Sequence, residues 1–207
     1  MLYKVVFLVL ILLTSSPSKS AIKLTVAFGN TLAPWVIADR NKGILIDLIS
    51  EALEPLGYEI IKDYLPYARR IDSYKTKKVD VVFDINQNNI INSNLIGHFS
   101  GIIYTYENYA FSLKKRKYNF TEISQLGQYS FLSWQGAKKQ LGSAYALMAD
   151  RNPAYRETHN QRLQVRMLFA ERVDVIQLDK QIYEFYRSNL IKENKIDANV
   201  EVDQFPL

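Results

Sequence analysis

The 207-residue chain contains no cysteine, which excludes a disulfide framework, thiolate metal sites and a cysteine nucleophile. Histidine is nearly absent too: His98 and His159 are too few and too far apart in sequence to suggest a zinc site. With only eight glycines and six prolines, and with 48% hydrophobic and 23% charged residues, the composition is ordinary for a globular protein. It excludes collagen, a disordered chain and a coiled coil. The length suits one domain of moderate size or two small lobes, either able to bury a core. A dense basic face is missing as well. The formal charge of +5 falls to +3 if Lys4 and Lys19 are removed with an N-terminal segment, far from what nucleic-acid binding needs. The basic run Lys114, Lys115, Arg116 and Lys117 reads as a solvated turn, with an anionic partner site as the alternative.

Long apolar runs are also absent. The longest near the start, residues 5–13, has nine residues, too short to cross a bilayer as a helix but fitted to the apolar core of a signal peptide. Lys4 supplies the positive start, and a Ser- and Pro-rich exit follows; Ser18 and Ser20 place small residues at −3 and −1 of a cleavage before Ala21. Without a cysteine after the run, lipid attachment is chemically impossible there. Residues 1–20 therefore read as a signal peptide, and the mature protein as soluble, exported and periplasmic.

Hydropathy patterning beyond residue 20 alternates strand with helix. Residues 22–28 form a β-rich alternating run broken by Gly29 and Asn30. After Gly43, Leu45, Leu48, Ile49, Ala52, Leu53 and Leu56 keep helical spacing, Pro55 frays the last turn and Gly57 stops it. Residues 58–63 read as a second strand, Pro66 opens a helix running to about Lys77, and 79–85 is an apolar run suited to a buried parallel strand. The order β-α-β-α-β indicates an α/β lobe with a mostly parallel sheet. The Asn-rich stretch 86–94 interrupts the pattern, and 102–113 reads as an extended connector. A second series follows: a strand at 129–134, a helix opening at Gly136 and carrying Leu141, Ala144, Tyr145 and Met148, a helix over 160–171 with Thr158 and Gln161 at capping-box spacing, a buried strand at 173–178, and a helix from Lys180. The halves share a local pattern. Lys78, Val79, Asp80 in the first and Arg172, Val173, Asp174 in the second each place a cation at a helix end and an Asp at a strand start.

The exported start, Pro34 followed by Trp35, the Gly43 to Leu48 segment leading into a helix ending at Gly57, the two basic-Val-Asp sites, Gly136 after a strand and Asp179 give the chain its likeness. In these features it resembles the bacterial extracellular solute-binding proteins, family 3, the periplasmic receptors of ABC-type importers, from Ile22 to about Arg187. The resemblance implies a two-lobed flytrap, each lobe a mostly parallel sheet flanked by helices, with ligand bound in the cleft. Lobe 1 is expected over 21–108. Lobe 2 is expected over 109–207, ending in a strand at 200–205 that starts back toward a first lobe left incomplete at the C-terminus.

Several site residues follow from the same likeness. Trp35 matches an aromatic lying against ligand; the alternative is a Trp packed on its own lobe. Tyr67 and Arg69 fit a Pro-aromatic-x-Arg pattern whose Arg clamps a carboxylate, with Arg70 competing for the role. Gly136 begins a helix whose free N–H groups make an anion site, and Trp134 before it is either cleft wall or core. Asp179 matches an Asp pairing with a ligand ammonium, or else is the N-cap of the helix from Lys180. Two departures set this chain apart. The loop at 86–92 carries no Arg where amino-acid binders have one, and Gly136 is followed by Ala137 in place of a hydroxyl residue. A standard amino acid is therefore not the expected ligand. The leading reading is a monomeric, non-enzymatic receptor without cofactor or metal that passes a small polar ligand to a membrane transporter permease. A sensory accessory protein is one alternative. A cleft enzyme using Asp84, or His98, is the other.

Overall fold

The computed structural model describes residues 20–30 and 32–207, so the signal-peptide reading, apart from Ser20, lies outside the described residues. Two sheets organise these residues. The smaller is three-stranded and wholly parallel, in the order β2-β1-β3. Strand β1 (Ile22–Gly29) pairs along its whole length with β2 (Tyr58–Leu65), from Ile22↔Tyr58 to Gly29↔Leu65. Between them runs helix α1 (Ile44–Leu53), which turns Leu45, Ile46 and Ile49 inward and ends in a tight turn through Pro55 capped by Gly57. Helix α2 (Tyr67–Lys75) then crosses to β3, with Pro66 at its N-cap.

Strand β3 is only Val81–Val82, shorter than the predicted 79–85. Val79 and Phe83 are still buried, but the Phe83 and Asp84 carbonyls accept from the Arg70 guanidinium, and Asp84 adopts φ 58, which turns the chain out of the sheet. The Asn-rich stretch holds a short helix, α3 (Gln87–Asn92), because Asn86 caps it by accepting from the Asn89 N–H. Of the expected connector, only β4 (Asn108–Leu113) is a strand.

The larger sheet is mixed, in the order β6-β5-β7-β4-β8. Strand β5 (Phe131–Trp134) runs parallel to β6 (Tyr155–Thr158) and to β7 (Val175–Asp179), whereas β4 is antiparallel to β7 and to β8 (Val202–Pro206). The segment expected to head back toward the first lobe is thus an edge strand of this sheet, held by pairing from Leu113↔Val202 to Tyr109↔Pro206. The helix expected from Gly136 is broken at Gly142 into α4 (Ala137–Gln140) and α5 (Ser143–Arg151). Asn160, not Thr158, caps α6 (Gln161–Phe169), accepting from the Leu163 N–H. Helix α7 (Lys180–Lys192) follows β7 directly.

The repeated basic-Val-Asp sites do the same job in both lobes. Each follows a residue in the left-handed region, Lys77 at φ 56 and Glu171 at φ 55. Asp80 accepts from the Thr25 N–H at 2.8 Å and Asp174 from the Ser130 N–H at 3.1 Å, while their own N–H groups donate to the carbonyls of those residues. Each Asp therefore closes a two-way bond that fixes where one parallel strand begins beside the next. The basic run at 114–117 is an exposed turn that pairs with Glu201, Glu171 and Asp174. The small sheet and α1 share an apolar cluster around Val26, Phe28, Trp35 and Ile46, and Ile182 of α7 is buried in it. The larger sheet has one cluster centred on Phe111 and Tyr183 and another on Phe131 and Tyr145.

Candidate functional site

A cavity of about 1170 Å³ lies between the two sheets and continues along the outer edge of β3. Three groups of side chains define its polar part.

At the floor, α2 sends Arg70 inward. Its Nη1 donates to the Phe83 carbonyl at 2.8 Å and to Asp84 Oδ2 at 3.2 Å, and its guanidinium lies 5.1 Å from the Tyr67 ring centre. Arg70 is only 3% exposed, yet its Nε has no partner among the described residues. The Tyr106 hydroxyl lies against Asp84 without a well-formed hydrogen bond. Burial pushes the Asp84 carboxyl above its ordinary value, more than Arg70 and Tyr106 pull it down. The Tyr67 phenol is raised to about 12, again mainly by burial.

Beside the chain crossing at Glu107, Asp179 joins three elements. Its Oδ1 accepts from Trp35 Nε1 at 3.3 Å and from the Ile182 N–H at 3.1 Å, and its Oδ2 accepts from the Glu107 N–H at 2.9 Å. It is thus the N-cap of α7 and at the same time the anchor of the first lobe's Trp35 loop. Trp35 packs on Tyr104 with ring centres 3.8 Å apart. Burial raises the Asp179 carboxyl against the pull of these donors.

A second contact between the lobes is an amide cluster. Gln140 Nε2 donates to Asn89 Oδ1 at 2.8 Å and to the Tyr67 hydroxyl at 3.4 Å, and Asn86 Nδ2 donates to Gln140 Oε1 at 3.0 Å.

Known structures share this fold. An ancestral arginine-binding protein bound to arginine matches with a TM-score of 0.70 at 17% identity, over 91% of this chain and 81% of that one. An ancestral amino-acid-binding protein, a precursor of cyclohexadienyl dehydratase, matches at 0.62 and 18% identity, over 89% and 79% of the two chains. An ABC uptake transporter substrate-binding protein from Streptococcus pneumoniae with bound histidine matches at 0.58 and 16%, over 89% and 78%. The fold is that of the two-lobed solute-binding proteins. No protein-family model matches the sequence, and no curated protein matches it.

Within this binding-protein fold, the structure distributes the six sequence candidates unevenly. Tyr67, Trp134 and Asp179 line the cavity. Trp35 is buried behind Tyr104 and reaches the site through Asp179. Arg69 is exposed and outside the lining, and the inward residue is Arg70. The spacing carries the signal that separates them: Tyr67 and Arg70 are three apart on a helix and share a face, whereas Arg69 does not. Gly136 is likewise outside the lining, and its N–H is already engaged, donating to Glu157 Oε2 at 2.9 Å while the Lys138 N–H donates to Oε1 at 3.0 Å. Tyr106, Asn89 and Gln140 are additions that sequence reading did not single out. No group of three or more His, Cys, Asp or Glu among the described residues could hold a metal ion.

Proposed function

We propose that this chain is an exported solute-binding receptor. Its lobes, 21–108 and 109–207, close over a small polar ligand and present it to a membrane transporter permease of the ABC importer type. The observation that carries this reading is the cavity between the two sheets, walled by aromatic side chains and polar groups drawn from both. Clefts of this kind, with a few placed polar groups, are where small molecules bind. In this reading Tyr67 and Trp134 are the walls and Trp35 supports them through Tyr104. Arg70 takes the place expected of Arg69, and Asp179 ties ligand closure to the hinge. The protein acts as a monomer in the periplasm after removal of residues 1–20, and it binds its ligand without changing it.

The test is a thermal-shift screen of small metabolites on protein unfolded and refolded to strip any carried ligand. A true ligand at about a hundred times its Kd adds about 2.7 kcal/mol, which for a chain of this size is a Tm rise of roughly 5–10 °C. A screen in which no solute raises Tm sinks the reading. One observation favours a second reading, cleft catalysis: Asp84 is a carboxyl made harder to ionise, as a general acid needs. Chemical conversion of the stabilising solute on incubation would decide for it.

A further inference from the structure

We infer that the cleft rejects anionic solutes in favour of uncharged ones bearing hydroxyl or carbonyl oxygens and a flat apolar face, and that Asp84 sets this selectivity by neutralising Arg70. The inference rests on the receptor reading above and names its ligand class.

The charges of the lining set this selectivity. Arg70 is the one Lys or Arg among the described residues that lines the cavity. Its charge is met by Asp84 at 3.2 Å, and its Nη1 also serves the Phe83 carbonyl. A ligand carboxylate or phosphate reaching Arg70 would have to lie beside the Asp84 carboxylate in a largely buried place, where like charges repel strongly. The second anion site, the N–H groups at Gly136 and Lys138, is filled by the Glu157 carboxylate. The remaining acids add no anion site either. Asp179 accepts from Trp35, Glu107 and Ile182, and Asp80 accepts from Thr25. Beside His98 and His159, the lining holds three carboxylates, Asp80, Asp84 and Asp179, against Arg70, and so has no unmet Lys or Arg charge for an anion to answer.

What is left is neutral hydrogen bonding. Arg70 Nε is a buried donor without an acceptor among the described residues, close to the Tyr106 hydroxyl that lies against Asp84, and such groups are costly to leave unmade. A neutral oxygen satisfies them without adding a second negative charge. Asn86, Asn89 and Gln140 offer amides that both donate and accept, and Tyr67, Tyr104 and Trp134 offer ring faces. A neutral sugar, a nucleoside or an amide-blocked amino acid has this chemistry.

Calorimetric titration with matched pairs tests the inference: galactose against galacturonate, adenosine against adenosine monophosphate, and N-acetylglutamine amide against N-acetylglutamine. In any pair that binds, the uncharged member is expected to bind about tenfold or more tightly than its charged twin. A charged twin that binds equally well or better overturns the inference and leaves the receptor reading standing. If no member of any pair binds and the wider metabolite screen is also blank, both readings fall together; if that screen finds only anionic ligands, this one alone falls. Asp84→Asn supplies a second measurement in protein whose melt remains cooperative. The variant is expected to gain about tenfold or more for the charged twin, and unchanged discrimination would remove Asp84 from the role.

Discussion

Arg69 and Arg70 are adjacent, identical in chemistry, and opposite in fate. A step of one residue turns a side chain about 100° around a helix, so Arg70 shares the inward face with Tyr67 and Arg69 meets solvent. The neighbourhood of Arg70 makes a pH prediction possible. The Asp84 carboxyl is harder to ionise in the folded protein because it is buried, Arg70 notwithstanding. Such a group contributes stability below the unfolded-chain value of about 3.9 and loses that contribution as pH rises through the higher folded value. Relative to Asp84→Asn, the wild-type Tm is therefore expected to fall as pH rises from about 3.5 to 7. Parallel thermal melts check this, and a gap that moves in favour of wild type with rising pH would refute it. At this scale the sequence was only half legible. Residue types announced a cleft with aromatics and an Arg, but which Arg turned inward depended on helical phase, and the carboxylates sitting on each anion site come from distant segments.

Elements were read more readily than residues, because period and punctuation are local. The run from Gly43 to Gly57 shows why: apolar spacing gave α1, Pro55 shortened it and Gly57 stopped it. Three elements escaped for physical reasons. Strand β3 is cut short because a side chain claims the carbonyls just beyond it, α3 exists through an Asn cap in a stretch poor in apolar residues, and β6 is four residues, none of them buried, at a sheet edge. Gly43 offers the sharpest test at this scale. It adopts φ 142, and a Cβ there would collide with the Trp35 carbonyl and the Val36 backbone. Gly43→Ala is expected to destabilise by at least about 1–3 kcal/mol from backbone strain alone, read by urea unfolding. Gly57→Ala, with φ 90 and open space around it, should cost less. Equal losses would show that the contact with the Trp35 loop is unimportant.

The lobes touch at two places of different chemistry. On one side Trp35, Asp179 and buried Ile182 join the lobes; on the other the contact is a cluster of amides around Gln140. Gln140→Ala is expected to cost little, at most about 1.5 kcal/mol. It should nonetheless enlarge the ligand-free protein in X-ray scattering beyond the roughly 16–17 Å radius of gyration of a compact chain this long. No enlargement would mean that the amides do not hold the lobes. The two-lobed plan was legible in the order of strands and helices and in the repeated basic-Val-Asp sites. The destination of residues 202–206 was not, because pairing with β4 is a long-range choice that no local pattern encodes.

Asp179 holds an indole from one lobe, a crossing-chain amide and the first turn of α7 in the other, all with two oxygens. In the receptor proposed above, a swing of the lobes would turn about that carboxylate as a door turns on its pin, and the doorway to the cavity would lie on the far side, at the amides.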